Sequence, residues 1–151
     1  MSLVMKFNKH SHQKPIVGEG WKVFSSICIN IDTLELGPHA KALLAEMIVS
    51  VKVGMPIVVI ILAATIVDVI INEQKLELTI SESSNRTGVD WLTIAERKQL
   101  DWLRDLRNRL LHYQGVISGM GGSDLDQKYL RLDADKALKA ISPLLAGLEQ
   151  F

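Results

Sequence analysis

The stretch VGMPIVVIILAATIVDVII, residues 53–71, is the most apolar part of the chain. Residues 53–67 carry no charge, which invites a reading as a membrane span. Those 15 residues rise only about 22 Å along an α-helix, short of a hydrocarbon core of roughly 30 Å, and Asp68 then interrupts the run. The expectation is therefore the central helix of a bundle, from about Met55 to Gln74, with no membrane partner. Apolar side chains at nearly every position predict burial over most of its circumference. Gly54 suits the residue that ends a preceding helix, and Pro56 suits the first turn of this one, where its missing N–H costs least.

On its N-terminal side, PHAKALLAEMIVSVK (38–52) places Leu43, Met47 and Ile48 at helical spacing behind Pro38, predicting a helix. Residues 75–90 turn Ser-, Asn- and Gly-rich and read as a polar connection. The next helix opens near Asp90 or Thr93, with Glu96 completing a capping-box pattern, and Trp102, Leu103, Leu106, Leu110 and Tyr113 trace its apolar stripe up to Gly115. Glycines 119, 121 and 122 predict a mobile loop, then a short turn over 125–130. A last helix is expected from an Asp133 cap, burying Ala137, Leu138, Ile141 and Leu145 and kinked at Pro143. Residues 21–36 are ambiguous between helix and strand and read as a packed N-terminal extension. Residues 1–20 read as a flexible arm, within which Met5 is a second candidate start, and 21–151 as a single domain. The fold class is all-α, a four-helix up-and-down bundle with a short N-terminal extension and an additional short helix.

A chain of 151 residues with 48% apolar and 23% charged residues suits one folded domain and excludes disorder. Lys plus Arg equals Asp plus Glu at 17 each, so no overall positive field draws in nucleic acid, and any such binding must be local. The single Cys28 cannot form an intrachain disulfide and suits a small core position in a reducing cytoplasm. The N-terminus lacks the pattern of a secretory signal, so the Asn85-Arg86-Thr87 sequon carries no weight and the expected location is cytoplasmic. His10, His12 and His39 have no partners at ligand spacing, and the glycines have no GK pair. Neither a metal nor a cofactor is expected.

The chemistry concentrates in WLRDLRNRLLHYQG, residues 102–115. On a helix Arg104, Asn108 and His112 line up at four-residue spacing. Arg107 stands about 140° around from His112, so only its long side chain can approach the imidazole. A guanidinium offers a planar fork to phosphate oxygens, and an imidazole titrates near neutral pH. Together they could cleave RNA without a metal: the imidazole takes the proton of a ribose 2′-hydroxyl, and arginines stabilise the phosphate charge. One chain supplies one such His, whereas proton removal and leaving-group protonation ideally use two. A two-fold dimer supplies both.

Arg107, the Asn108 directly after it and His112 beyond a four-residue gap, near the end of an apolar-striped helix, resemble the RX4–6H signature of the HEPN superfamily. The match covers about residues 96–115, and beyond them only helix count and order. Members are small helical bundles, often homodimers, and many are metal-independent endoribonucleases whose site forms where two motif helices meet. The resemblance implies Arg107 as phosphate binder, Asn108 as the orienting polar residue and His112 as the acid/base group, with RNA as substrate and a regulatory protein as a candidate partner. Arg104 and Tyr113 are supporting candidates. Tyr113 directly follows His112, whereas toxin–antitoxin members often carry a modifiable Tyr one place later, where this chain has Gln114.

Asp68 is the remaining candidate. A carboxylate in the most apolar helix must find a partner or tend to neutrality. If its helix flanks the motif helix, Asp68 can hydrogen-bond Arg107 or His112. Otherwise it reaches solvent or a Lys near the helix end. The motif has a plainer reading too, in which Arg107 pairs with an acidic neighbour and His112 meets the helix dipole. The alternatives to a nuclease are a non-catalytic HEPN-like module that binds RNA or protein, and a scaffolding helical dimer.

Overall fold

The computed structural model describes residues 14–28, 31–76, 89–112 and 122–149. Over these, the chain forms an all-helical bundle: α1 (Glu19–Ile27), a 3-10 turn (Ile31–Thr33), α2 (Pro38–Val53), α3 (Pro56–Gln74), α4 (Ile94–Leu111) and α5 (Asp124–Ala146), with no strand among the described residues. A lone antiparallel bridge joins Leu34 to Glu149.

Gly54 ends α2 with φ 77°, a left-handed turn that costs glycine little, and Pro56 opens α3 two residues later. The tight corner sets α2 against α3, and α3 also packs on α4 and α5. With three neighbours α3 buries a wide arc, Val59, Ile60, Ala63, Ala64, Ile66, Val67 and Ile70, and so needs its nearly continuous apolar sequence. The helix runs 19 residues, longer than the uncharged stretch alone, and by length and mean hydropathy (2.1) it is able to cross a membrane. In the bundle, 44% of that apolar window is buried against the other helices, as suits a core helix.

Thr93 caps α4 with a complete capping box: its hydroxyl accepts the Glu96 N–H at 3.1 Å, and Glu96 accepts the Thr93 N–H at 2.9 Å. Leu100, Leu103 and Leu106 form its buried stripe, flanked by the partly buried Trp102 and Leu110.

Two expectations are corrected. The short turn at 125–130 and the helix beginning at Asp133 are one continuous helix, α5, opened about ten residues earlier by a Ser123–Asp126 capping box and continuing through Pro143. Asp126 does here what Glu does in the commoner pattern, so nothing interrupts the helix before Asp133. Residues 14–20, read as part of a loose arm, are held by the bundle. Ile16 is buried and donates its N–H to Val51 O, and Arg131 Nη2 donates to the carbonyls of Lys14 and Pro15.

The ambiguous segment 21–36 resolves as α1 followed by the 3-10 turn. Asp135 on α5 makes the helix possible: its carboxylate accepts the N–H groups of Gly20 and Trp21, both at 2.9 Å, acting as a cap from across the bundle. Phe24 is fully buried beneath it, and a Cβ on Gly20 would collide with the Asp135 carbonyl. Cys28, in the core at the end of α1, has its thiol pushed up to about 12 by burial and, secondarily, by the Glu149 charge.

Candidate active site

Asp68 lies on α3, opposite the second half of α4. There it meets two arginines that the i, i+3 spacing sets on adjoining faces. Arg107 Nη1 donates to Asp68 Oδ2 at 2.5 Å, and Arg104 Nε lies 2.9 Å from Oδ1. The two approaches differ in kind. Arg104 is at ion-pair distance but not in hydrogen-bond geometry, and Oδ1, screened from solvent, accepts no hydrogen bond among the described residues. Arg107 is also tied on its other edge, Nε and Nη2 both reaching Asn108 Oδ1 at 3.3 and 3.2 Å.

Exposure follows the same division. The Arg107 side chain is 16% exposed, Asp68 28% and Arg104 39%. Two guanidinium groups against one carboxylate leave one net positive charge in a chain whose overall charge is zero. The apolar surroundings on α3 favour pairing because an isolated carboxylate there would be costly to desolvate.

His112 lies one residue past the last helical position. Its N–H still donates to Asn108 O at 2.9 Å, but its backbone is extended (φ −125°, ψ 121°), so the ring leaves the helix at the end of α4 rather than from its last turn. His112 is exposed and is not a partner of Asp68. Tyr113, Gln114 and Gly115 lie outside the described residues. The structure therefore brings Asp68, Arg104, Arg107 and Asn108 into one cluster and leaves His112 at its edge.

Other polar residues of the α2–α3 region lie apart from this cluster. Thr65 donates to its own helix at Ile61 O, 2.7 Å, and Glu46 and His39 are exposed. Among the described residues no three His, Cys, Asp or Glu side chains converge as metal ligands. A feature that sequence reading missed is an open cleft of about 510 Å³ between the start of α4 and the second half of α5, lined by Glu96, Gln99, Lys136, Lys139, Ala140 and Pro143. Lys136 Nζ stands 4.0 Å from the centre of the Trp102 ring. The three-residue spacing of Lys136 and Lys139 on the helix expected after Asp133 is the available signal, but it does not reveal that Glu96 and Gln99 of α4 face them.

Comparison with protein-family models, with curated proteins and with solved structures finds no match to this chain.

Proposed function

We propose that this protein is a HEPN-like RNA-binding bundle that cleaves RNA without a metal when two copies bring their α4 ends together. The observation that supports it is the Asp68–Arg104–Arg107–Asn108 cluster, a local excess of guanidinium charge held on α3 and α4 beside an exposed histidine. Arginines suit this work because they stay charged and present their donors as a fork to phosphate oxygens.

In the proposed reaction, His112 of one copy removes the 2′-hydroxyl proton. The O2′–P bond forms as the P–O5′ bond breaks, and His112 of the second copy, as imidazolium, gives its proton to the departing 5′-oxygen. The products are a 2′,3′-cyclic phosphate and a 5′-hydroxyl. The net positive charge of the arginine cluster draws in the phosphate backbone and favours the charge that develops on it. A homodimer, an RNA substrate, a regulatory protein partner and a cytoplasmic location belong to this proposal.

One observation favours a second reading, a non-catalytic RNA-binding module of the same fold. Arg107 is occupied by Asp68 and Asn108, and no described group orients the His112 ring. The test is cleavage of end-labelled mixed-sequence RNA in excess EDTA by the wild type, His112→Ala and Arg107→Ala. The nuclease reading expects cyclic-phosphate ends from the wild type alone. Equal cleavage by all three refutes it, and binding without cleavage selects the module.

A further inference from the structure

The arginine of the motif is the less available of the two. Arg107 uses Nη1 on Asp68 and both Nε and Nη2 on a single amide oxygen, and its side chain is the more buried. Arg104 reaches Asp68 through Nε alone, without hydrogen-bond geometry, and leaves both terminal nitrogens without an acceptor among the described residues. Moving Arg107 onto a phosphate would break its bonds to both Asp68 and Asn108 and strand a carboxylate against α3. Moving Arg104 breaks one undirected ion pair and leaves Asp68 still bonded to Arg107.

We infer that Arg104, rather than Arg107, is the side chain that grips the nucleic-acid backbone, and that Arg107 is a positioning residue clamped between Asp68 and Asn108. This rests on the RNA-binding reading above. Arg104 stands eight residues before His112, about 12 Å along the helix axis, and helical side chains lean toward the N-terminus. With Nε held at Asp68 and its side chain leaning away from His112, Arg104 is placed for a neighbouring phosphate rather than for the same one. The ligand class is therefore a strand with consecutive phosphates, held by Arg104 at a phosphate flanking the one His112 addresses, and not a mononucleotide.

The experiment measures binding of a short fluorescent single-stranded 2′-O-methyl oligoribonucleotide, which cannot be cleaved by the 2′-oxygen route, across a salt series. Removing one cationic side chain from the phosphates of a single strand flattens the log–log salt slope by about 0.7. Arg104→Gln is expected to flatten the slope by that amount and weaken binding several-fold, with an unchanged melting temperature. Arg107→Gln and Arg107→Met, two replacements in case one fails to fold, are expected to melt lower while the folded protein keeps the wild-type slope. The inference is overturned if Arg104→Gln keeps the wild-type slope and affinity, if the Arg107 variants flatten the slope instead, or if the wild type does not bind the strand. Cleavage of the unmodified RNA, followed in parallel, separates the two ideas. A flattened slope in Arg104→Gln without cleavage by the wild type sinks the nuclease and leaves Arg104 in its role, and cleavage with an unaltered Arg104→Gln slope does the reverse.

Discussion

Asp135 Oδ2 accepts the N–H of Gly20 at 2.9 Å, across 115 positions of chain, while Oδ1 of the same carboxylate takes the N–H of Trp21. A helix cap is ordinarily the residue just before the helix; here the Gly18 N-cap makes no side-chain bond and α5 supplies the acceptor. Asp135→Ala orphans two N–H groups at a partly buried site and is expected to lower unfolding stability by about 2 kcal/mol. Urea denaturation measures it, and a midpoint equal to the wild type's would refute the cap.

Gly20→Ala tests the same junction from the other side. Its Cβ meets the Asp135 backbone carbonyl, which cannot swing away as a side chain could. The expected loss is about 1–3 kcal/mol, the usual range for forcing extra volume into a packed interface. Helix propensity alone favours alanine over glycine, so a stabilised variant would show that α1 does not lie against α5 as described.

Asp68→Ala strips the carboxylate from two guanidinium groups. The pair is partly solvated, so the loss is expected near 1–2 kcal/mol, below that of a fully buried pair. Chemical denaturation of Asp68→Ala beside Arg104→Gln checks the asymmetry in the cluster, since the second change should cost under about 0.5 kcal/mol.

The Cys28 thiol gives a prediction with two readouts. With its value raised from 9.0 to about 12, the native thiolate population at neutral pH falls about a thousandfold, and an aromatic disulfide reagent should react only as fast as the protein unfolds. Between those two values the unfolded chain releases a proton that the folded chain keeps, so stability declines as pH rises through that window. Cys28→Ala should flatten that alkaline decline.

Asp133 titrates in the same sense at acid pH. Burial raises its carboxyl, with the Lys136 charge pulling the other way. The folded state therefore holds its proton to higher pH than the unfolded chain does. Stability from this group is full below the ordinary Asp value and is lost as pH rises through the raised one. Asp133→Asn removes that loss and should be at least as stable as the wild type at pH 7, while Lys136→Met steepens the decline. Urea midpoints at acid and neutral pH check both.

The sequence showed the parts of the fold whose causes are local. Gly54 and Pro56 marked the α2–α3 corner, and Thr93 with Glu96 marked the start of α4, because a cap or a left-handed turn is written within a few residues of where it acts. The cause of α1 is Asp135, far along the chain, and without it Val23 and the Ile residues of 27–31 argue equally well for a strand. α5 is hidden in the sequence for a different reason: its Ser123–Asp126 box departs from the Glu or Gln pattern, and Asp133 offers a plausible cap where none is needed. In the site, Asp68 was recognisable as a charge out of place, but which of two arginines stays free depends on bond directions that spacing does not carry.

α5 has a consequence for biosynthesis. It touches α1, α3 and α4, and the Leu34–Glu149 bridge and the Arg131 clasp on residues 14–15 also belong to it or its C-terminal edge. Of the described helices it leaves the ribosome last. Until it emerges, α1 lacks its cap and the apolar side of α3 that faces α5 stays uncovered, so the nascent chain presents a long hydrophobic helix to solvent or to any bilayer nearby. Holdase chaperones should accordingly favour ribosome-bound chains stalled before Ser123 over chains stalled with α5 fully emerged.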